Sequence, residues 1–376
     1  MTARQHIPSL EAGRRIIVKI GSALLVDAER GTLHRQWLEA LAADLARYRK
    51  RGQDVIIVSS GAIAIGRRHL RFSGTDLKLE EKQAAAATGM VRLAHAYEEV
   101  LSHHGMTVAQ LLLTLDDSED RRRYLNARNT LSTLLRLGAV PLINENDTVA
   151  TDEIRFGEND RLAGRVAAMI SADILVLLSD IDGFYSTDPR RKAGARHIPI
   201  IDQITPEIEV MAGSSRTDYG TGGMITKIAA AKSAIAAGCA TIVADGKPLH
   251  PLRAIEEGAR CTWFLPRANP RAARKHWIAG ILRPAGIITI DNGAMKALGS
   301  GKSLLPAGVT EVEGAFKRGD AVIVKAADGS QIGCGLSAYS VEDARRIMGH
   351  KSGEIESLLG YRGRDEMIHR DDLVLS

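Results

Sequence analysis

A chain of 376 residues with 45% apolar and 25% charged residues is long enough for two domains with a sizeable core, which excludes a disordered or fibrous class. A formal charge of +5 suits anionic ligands such as nucleotides, but 4% aromatic residues fall short of the basic, stacking surface of a dedicated nucleic-acid binder. Cys239, Cys261 and Cys334 are scattered, so neither a disulfide framework nor a zinc site is expected and a reducing compartment is; no apolar run has membrane-spanning length, and residues 1–11 lack a secretory-signal pattern.

In chain order, apolar runs and helical periods alternate. Residues 15–20 read as a strand, 34–51 as a helix with Leu38, Leu41, Ala42 and Leu45 on one face, and 54–59 as a second strand. Helical stretches follow at 60–70 and 79–103. Further apolar runs at 108–113, 139–143, 174–178 and 241–243 are separated by helical segments 121–137, 159–170 and 224–237. Strands apolar on both faces, spaced by helices, predict an α/β three-layer sandwich with a mainly parallel sheet. Ligands of such sheets sit beyond the carboxyl ends of the strands, so chemistry is expected in the loops that follow them.

Four of those loops carry notable residues. After the first strand come Lys19, Gly21 and Ser22, where a close backbone and a compact cation suit phosphate oxygens, although a turn glycine beside a surface lysine explains the same letters. After the second, Ser59-Ser60-Gly61-Ala62 runs into a helix; its hydroxyls and free amides suit an anion, and Ser60 as a plain N-cap is the bland reading. After the run 139–143 stand Asn144, Glu145, Asn146 and Asp147, then Glu158, Asn159 and Asp160 at the head of a helical segment. Any one of these caps a turn or helix; together they suit a polar pocket for a small zwitterion, carboxylates accepting from an ammonium and amides donating to a carboxylate. The fourth loop, Gly220-Thr-Gly-Gly-Met-Ile-Thr-Lys227, has three glycines in four residues, too many for a routine helix start, and sets amides, hydroxyl and ammonium around a phosphate chain.

Two motifs are decoys. Residues 296–303 nearly match a phosphate-binding loop, but Lys296 replaces the first glycine and no buried strand precedes it, so a surface turn is expected. Residues 333–338 mimic a dinucleotide fingerprint with no strand-and-helix unit after them. Between Arg260 and Lys302 there are eight Lys or Arg and one acidic residue, Asp291, with prolines at 266, 270 and 284. The domain boundary is placed near Pro284, giving residues 1–284, a small β-rich domain over 285–363 and a polar tail over 364–376.

Residues 18–22 (Val-Lys-Ile-Gly-Ser), 58–62 (Val-Ser-Ser-Gly-Ala), 143–147 (Ile-Asn-Glu-Asn-Asp), 157–160 (Gly-Glu-Asn-Asp), 178–180 (Leu-Ser-Asp) and 221–227 (Thr-Gly-Gly-Met-Ile-Thr-Lys) resemble, in order and spacing, the glutamate 5-kinase family. The resemblance spans nearly the whole chain, the stretch 285–363 resembling a PUA domain. It implies the amino-acid-kinase fold for the first domain, ATP with Mg²⁺ as cosubstrate, L-glutamate as acceptor, the first step of proline biosynthesis, and a cytoplasmic homo-oligomer whose relatives are often inhibited by proline. Nucleotide contacts are expected from Lys19, Gly21, Ser22, Ser179, Asp180 and the loop Thr221, Gly222, Gly223, Met224, Ile225, Thr226 and Lys227; substrate contacts from Ser60, Gly61, Asn144, Asp147 and Asn159. Ser59 and Ser179 stand where the common pattern has threonine, hydroxyl for hydroxyl. A carboxylate acceptor is already an anion and needs no general base, so the site must supply cations. Lys19 and Lys227 are expected to flank the transferred group, with Asp160 orienting them or reaching Mg²⁺, whose ligands the letters leave unassigned. The competing class, an RNA-binding protein, draws on the PUA resemblance and the basic stretch; the low aromatic content gives it no support.

Overall fold

The computed structural model describes residues 9–27, 32–72, 77–114, 116–149, 158–190, 194–213, 223–270, 272–273 and 284–375. The chain divides into two units, Met1–Glu119 with Asn126–Pro270, and Asp120–Leu125 with Arg271–Ser376. In chain order its elements begin β1 (Arg15–Ile20), α1 (Ser22–Leu25), α2 (Arg35–Lys50), β2 (Asp54–Ser59), α3 (Ala62–His69), α4 (Leu79–Ser102), β3 (Val108–Leu113), α5 (Asp116–Glu119), α6 (Arg121–Arg136) and β4 (Val140–Glu145). They continue with α7 (Glu158–Ile170), β5 (Ile174–Ser179), β6 (Phe184–Tyr185), β7 (His197–Ile198), β8 (Ile200–Ile201), α8 (Pro206–Gly213), α9 (Met224–Ala236), β9 (Ala240–Asp245), α10 (Pro251–Glu256) and β10 (Cys261–Phe264).

Among the described residues the main sheet runs β3-β4-β2-β1-β5-β9-β10-β8, parallel from β3 to β9, as the alternation of apolar runs and helices requires. In β1, Ile16, Val18 and Ile20 pack with Leu38, Leu41 and Leu45 of α2 and with Leu93 and Tyr97 of α4. Because side chains alternate along a strand, Ile17 and Lys19 face the opposite layer, where α7 packs on β1. The register sets Lys19 beside Val58 and Leu177, and Ile20 beside Ser59 and Leu178, so the ends of β1, β2 and β5 line up at one edge.

Several boundaries differ from those read in the sequence, for physical reasons. β4, β5 and β9 each run past their apolar stretch to a polar residue, Glu145, Ser179 and Asp245, because backbone pairing continues to the functional edge. The first residues of the stretch 60–70 are not helical: Gly61, at φ +109°, turns the chain before α3 begins. The two-residue strands β6, β7 and β8 are too short to show a period, and β10, antiparallel to β9, ends the parallel pattern.

The second unit holds a sheet of β11 (Gly286–Ile290), β12 (Val309–Gly314), β13 (Ala321–Ala326), β14 (Gln331–Leu336) and β15 (Leu373–Leu375), in the order β12-β11-β13-β14-β15. Its core gathers Ile288, Val312, Phe316, Val322, Val324 and Ile347. The stretch expected as a surface turn at 296–303 is helical as far as Gly299, in a helix Asn292–Gly299 capped by Asp291, whose Oδ1 accepts from the Ala294 amide at 2.7 Å. The dinucleotide decoy at 333–338 lies mainly in β14. The polar tail also acquires structure: Leu373 pairs with Gly335, extending the sheet, and Asp372 beside it is 5% exposed. Alternating short apolar letters after a polar run gave too little period to see.

α3 and α4 cross at two glycines. A Cβ on Gly66 would lie 1.8 Å from the Ala85 carbonyl oxygen, and one on Gly89 would lie 1.7 Å from that of Ala62. Backbone atoms cannot yield as a flexible side chain does, so Gly89→Ala is expected to destabilise the fold by about 3 kcal/mol, the upper range for overpacking. Gly299→Ala, which meets nothing within 4 Å, serves as the control expected to show no loss. Denaturant midpoints check this; an unshifted Gly89→Ala contradicts the close crossing.

Candidate active site

Two helix starts meet at the buried side of β1. α7 presents Asn159 and Asp160 in its first turn, α9 presents Thr226 and Lys227 in its own, and the helices touch one turn further along, where a Cβ on Gly164 would lie 2.6 Å from the Ala230 oxygen. That approach, available only to glycine, brings both first turns over Lys19. The Lys19 ammonium stands 2.6 Å from Asp160 Oδ1, and that of Lys227 stands 3.1 Å from Oδ2. The Thr226 hydroxyl donates to Oδ2 at 2.8 Å. All four residues are at most 7% exposed.

Among the described residues this cluster sets two ammonium groups on one carboxylate, in a place where charge is poorly solvated. Burial pushes the Asp160 carboxyl up, but the two ammonium groups outweigh it and hold it at about 2. Burial pulls the Lys19 ammonium below its ordinary value; Asp160 opposes this and Lys227 adds to it. With its carboxyl held below the unfolded value of 3.8, Asp160 contributes stability that is present above that pH and lost as pH falls toward about 2. Two ammonium groups beside the strand ends suit the arrival of a phosphoryl anion.

A second, neutral group of side chains lies at the ends of β2 and β4. The Asn159 amide donates to Ser60 Oγ at 3.1 Å and to Asn144 Oδ1 at 2.9 Å, and the Glu145 amide donates to Asn144 Oδ1 at 2.8 Å. Gly61 follows Ser60 at the N-cap of α3. Asp147, in the turn after β4, is 8% exposed, and burial pushes its carboxyl up to about 6. No described residue offers it a hydrogen bond or counter-charge.

The third group lines the ends of β5 and β9. Ser179 Oγ donates to Asp180 Oδ1 at 3.2 Å, and Arg190 pairs with Asp180 Oδ2 at 2.7 Å. Partial burial pushes the Asp180 carboxyl up, but Arg190, together with bonds from its own backbone amide and Ser179, holds the group below its usual range. Gly21 and Ser22 lie beyond β1, Gly21 as the N-cap of α1. Gly223 is the N-cap of α9, Met224 and Ile225 open that helix, and Ile225 is 50% exposed. Thr221 and Gly222 lie outside the described residues.

The structure thus brings Lys19, Asp160, Thr226 and Lys227 together, and joins Ser60, Asn144 and Asn159 in a separate hydrogen-bonded set. Sequence reading assigned Thr226 to nucleotide alone and missed its bond to Asp160. It also missed Arg190 and Lys247, both of which donate to the Asp180 carbonyl, at 3.2 Å and 2.9 Å. The signal for Lys247 was the Asp-Gly-Lys at 245–247 closing β9, a strand end equivalent to the four already singled out. Arg190 gave no signal among ordinary loop charges.

A parallel sheet with buried ammonium groups and polar loops at its strand ends suits a phosphorylated ligand, and the chain belongs to the amino acid kinase family, whose pattern matches residues 14–245. A PUA domain matches residues 286–359. At 63% identity the chain is similar to a protein of Paramagnetospirillum magneticum named glutamate 5-kinase, over 97% of this chain and 99% of that protein. It is 59% identical to one of the same name in Rhodospirillum rubrum, over 96% of each. No helix of the described residues is long and apolar enough to cross a membrane.

Asp160→Asn removes the charge that both ammonium groups share. Breaking a buried pair in this way typically costs about 3–5 kcal/mol, and added sulfate or phosphate is expected to restore part of the loss. Thermal unfolding with and without the anion checks both; an unshifted transition contradicts the cluster as described.

Proposed function

We propose that the chain transfers the γ-phosphoryl group of ATP to the side-chain carboxylate of L-glutamate, giving L-glutamyl 5-phosphate and ADP, the first step of proline biosynthesis. The observation that carries this reading is the pair of ammonium groups converging on Asp160. One carboxylate oxygen forms a bond to phosphorus as the bond from phosphorus to the bridging β,γ-oxygen breaks, and that electron pair leaves on ADP. The nucleophile is already ionised at neutral pH, so no base is needed. What opposes the step is repulsion between two anions and charge on the transferred oxygens, which Lys19 and Lys227 offset from opposite sides of Asp160. Asp160 keeps the lysines in place.

Ser179, Asp180, Gly21, Ser22 and the start of α9, from Gly223 to Thr226, form the nucleotide wall in this reading, with the stretch from Thr221 as its continuation. Ser60, Gly61, Asp147 and Asn159 hold glutamate, Asp147 taking the ammonium group. Mg²⁺ accompanies ATP. The described residues contain no group of three His, Cys, Asp or Glu fit to hold it, and both Asp160 oxygens already face cations. An ion carried on the phosphates and water suits that donor set, and no step here passes through it. A cytoplasmic location, a homo-oligomer and proline as inhibitor belong to the same reading on the resemblance alone.

Hydroxylamine converts an acyl phosphate into a hydroxamate. With ATP and glutamate the protein is expected to yield hydroxamate, with aspartate or N-acetylglutamate far less, and Lys19→Met and Lys227→Met are each expected to lower turnover about a hundredfold to a thousandfold. No signal with glutamate would contradict the assignment. A pH series tests Asp147 separately. Its carboxyl, at about 6 in the folded protein, is ionised only above that pH, and an ammonium ligand needs it ionised. The KM for glutamate is therefore expected to rise as pH falls from 7 to 5, approaching about tenfold per unit. In Asp147→Asn the KM is expected to be high and flat over this range; a slope unchanged by the substitution would place the titrating group elsewhere.

A further inference from the structure

A side-chain amide has a donor end and an acceptor end, and only its neighbours decide which way it lies. A backbone N–H decides absolutely, because it can only donate. The Glu145 amide lies 2.8 Å from Asn144 Oδ1 and 3.2 Å from Asn159 Oδ1, so it fixes both side chains with their oxygens toward it. Asn144 Nδ2 is thereby turned to the Met90 sulfur, at 3.3 Å. Asn159 Nδ2 then donates to Asn144 Oδ1 at 2.9 Å and to Ser60 Oγ at 3.1 Å, which uses both of its hydrogens.

The consequence falls on Ser60. Its oxygen is an acceptor from Asn159, so its own hydrogen points elsewhere, and no described residue accepts it. The backbone of Ser60 is held independently: its amide donates to the Ile20 carbonyl at 3.1 Å, and Ser59 Oγ, 3.0 Å from the buried Tyr97 hydroxyl, donates to its carbonyl at 3.2 Å. Asn144 itself is 3% exposed, its oxygen taken by the Glu145 and Asn159 donors and one amide hydrogen turned to the Met90 sulfur, so burial places it to hold Asn159 more than to meet a ligand.

We propose that Asn144 is a positioning residue: by orienting the Asn159 amide it leaves the Ser60 hydroxyl hydrogen free to donate, and so favours an anionic oxygen of glutamate at that point. This rests on the function proposed above. It gives the pocket a donating end at Ser60 and an accepting end at Asp147, and a zwitterion bound in reverse would leave the Ser60 hydrogen without its anionic acceptor and set carboxylate against carboxylate at Asp147. Selectivity of this kind comes from unpaired polar groups in the wrong orientation more than from contacts in the right one.

The experiment is steady-state hydroxamate kinetics on the full chain. Asn144→Leu and Ser60→Ala are expected to raise the KM for glutamate about ten- to a hundredfold, the size of one hydrogen bond to a charged group, with the KM for ATP within about twofold. Asn144→Asp, whose carboxylate still accepts from Glu145 and Asn159, is expected to stay within about threefold of the parent, and Ser60→Thr to retain the donor. Asn159→Asp turns an acceptor toward Ser60 and captures its proton, so adding Ser60→Ala to it is expected to cost nothing further; this pair carries the test should Asn144→Leu fail to fold. An unaltered KM for glutamate in Asn144→Leu, equal impairment in Asn144→Asp, or additive losses in the Asn159–Ser60 pair would overturn the assignment. A parent protein that forms no glutamyl hydroxamate would instead overturn the function on which it rests.

Discussion

One carboxylate held between two ammonium groups, away from water, is the constraint on which the rest of the first unit depends. Asp160 is 1% exposed, and a lone ion there would carry a desolvation cost of several kcal/mol. Its partners come from β1 and α9, so the pairing requires the central strand and two helix starts to meet within about the length of a hydrogen bond. The Gly164–Ala230 contact makes that meeting possible, since any side chain at Gly164 would lift α7 from α9 and separate the ions. Two buried ammonium groups held close together repel each other in the free protein, and phosphoryl oxygens arriving between them would turn that closeness to advantage. That difference between states, more than the strength of any one pair, is what a phosphoryl-transfer site needs.

The proposed glutamate side follows a different physical rule. Ser60, Asn144 and Asn159 are neutral, and direction matters there more than strength: one backbone amide, that of Glu145, sets which atoms donate. Asp147 is the exception, a carboxylate raised by burial with no described cation beside it, which an ammonium group would relieve. Separating a charged reaction centre from a polar recognition end lets affinity for the acceptor change without disturbing the lysines.

Much of this was legible in the sequence. Strands buried on both faces show as runs rich in Ile, Leu and Val, so β1 and β2 were read with their observed ends, as was the half-exposed edge strand β3, and the alternation with helices gave a parallel sheet. Lys19, Lys227 and Asp160 were marked because each stands at the end of a strand or the start of a helix, where ligands of such sheets bind. Sequence could not show that Thr226 serves Asp160, that Asn144 faces inward, or that Lys247 reaches Asp180, because those facts depend on which helix starts and strand ends become neighbours. The C-terminal strand Leu373–Leu375 was missed for a related reason: three residues carry no period, and their place is set by the edge of β14.

The central claim is that two ammonium groups from distant parts of the chain meet the same transferred group. A crystal structure with glutamate and a non-hydrolysable ATP analogue measures this directly. Both the Lys19 and Lys227 ammonium groups are expected within hydrogen-bonding distance of oxygens on the terminal phosphoryl group, with Asp160 still between them. A terminal phosphoryl group bound away from either lysine, or a Lys227 swung out of the cleft beside β1, would contradict the account.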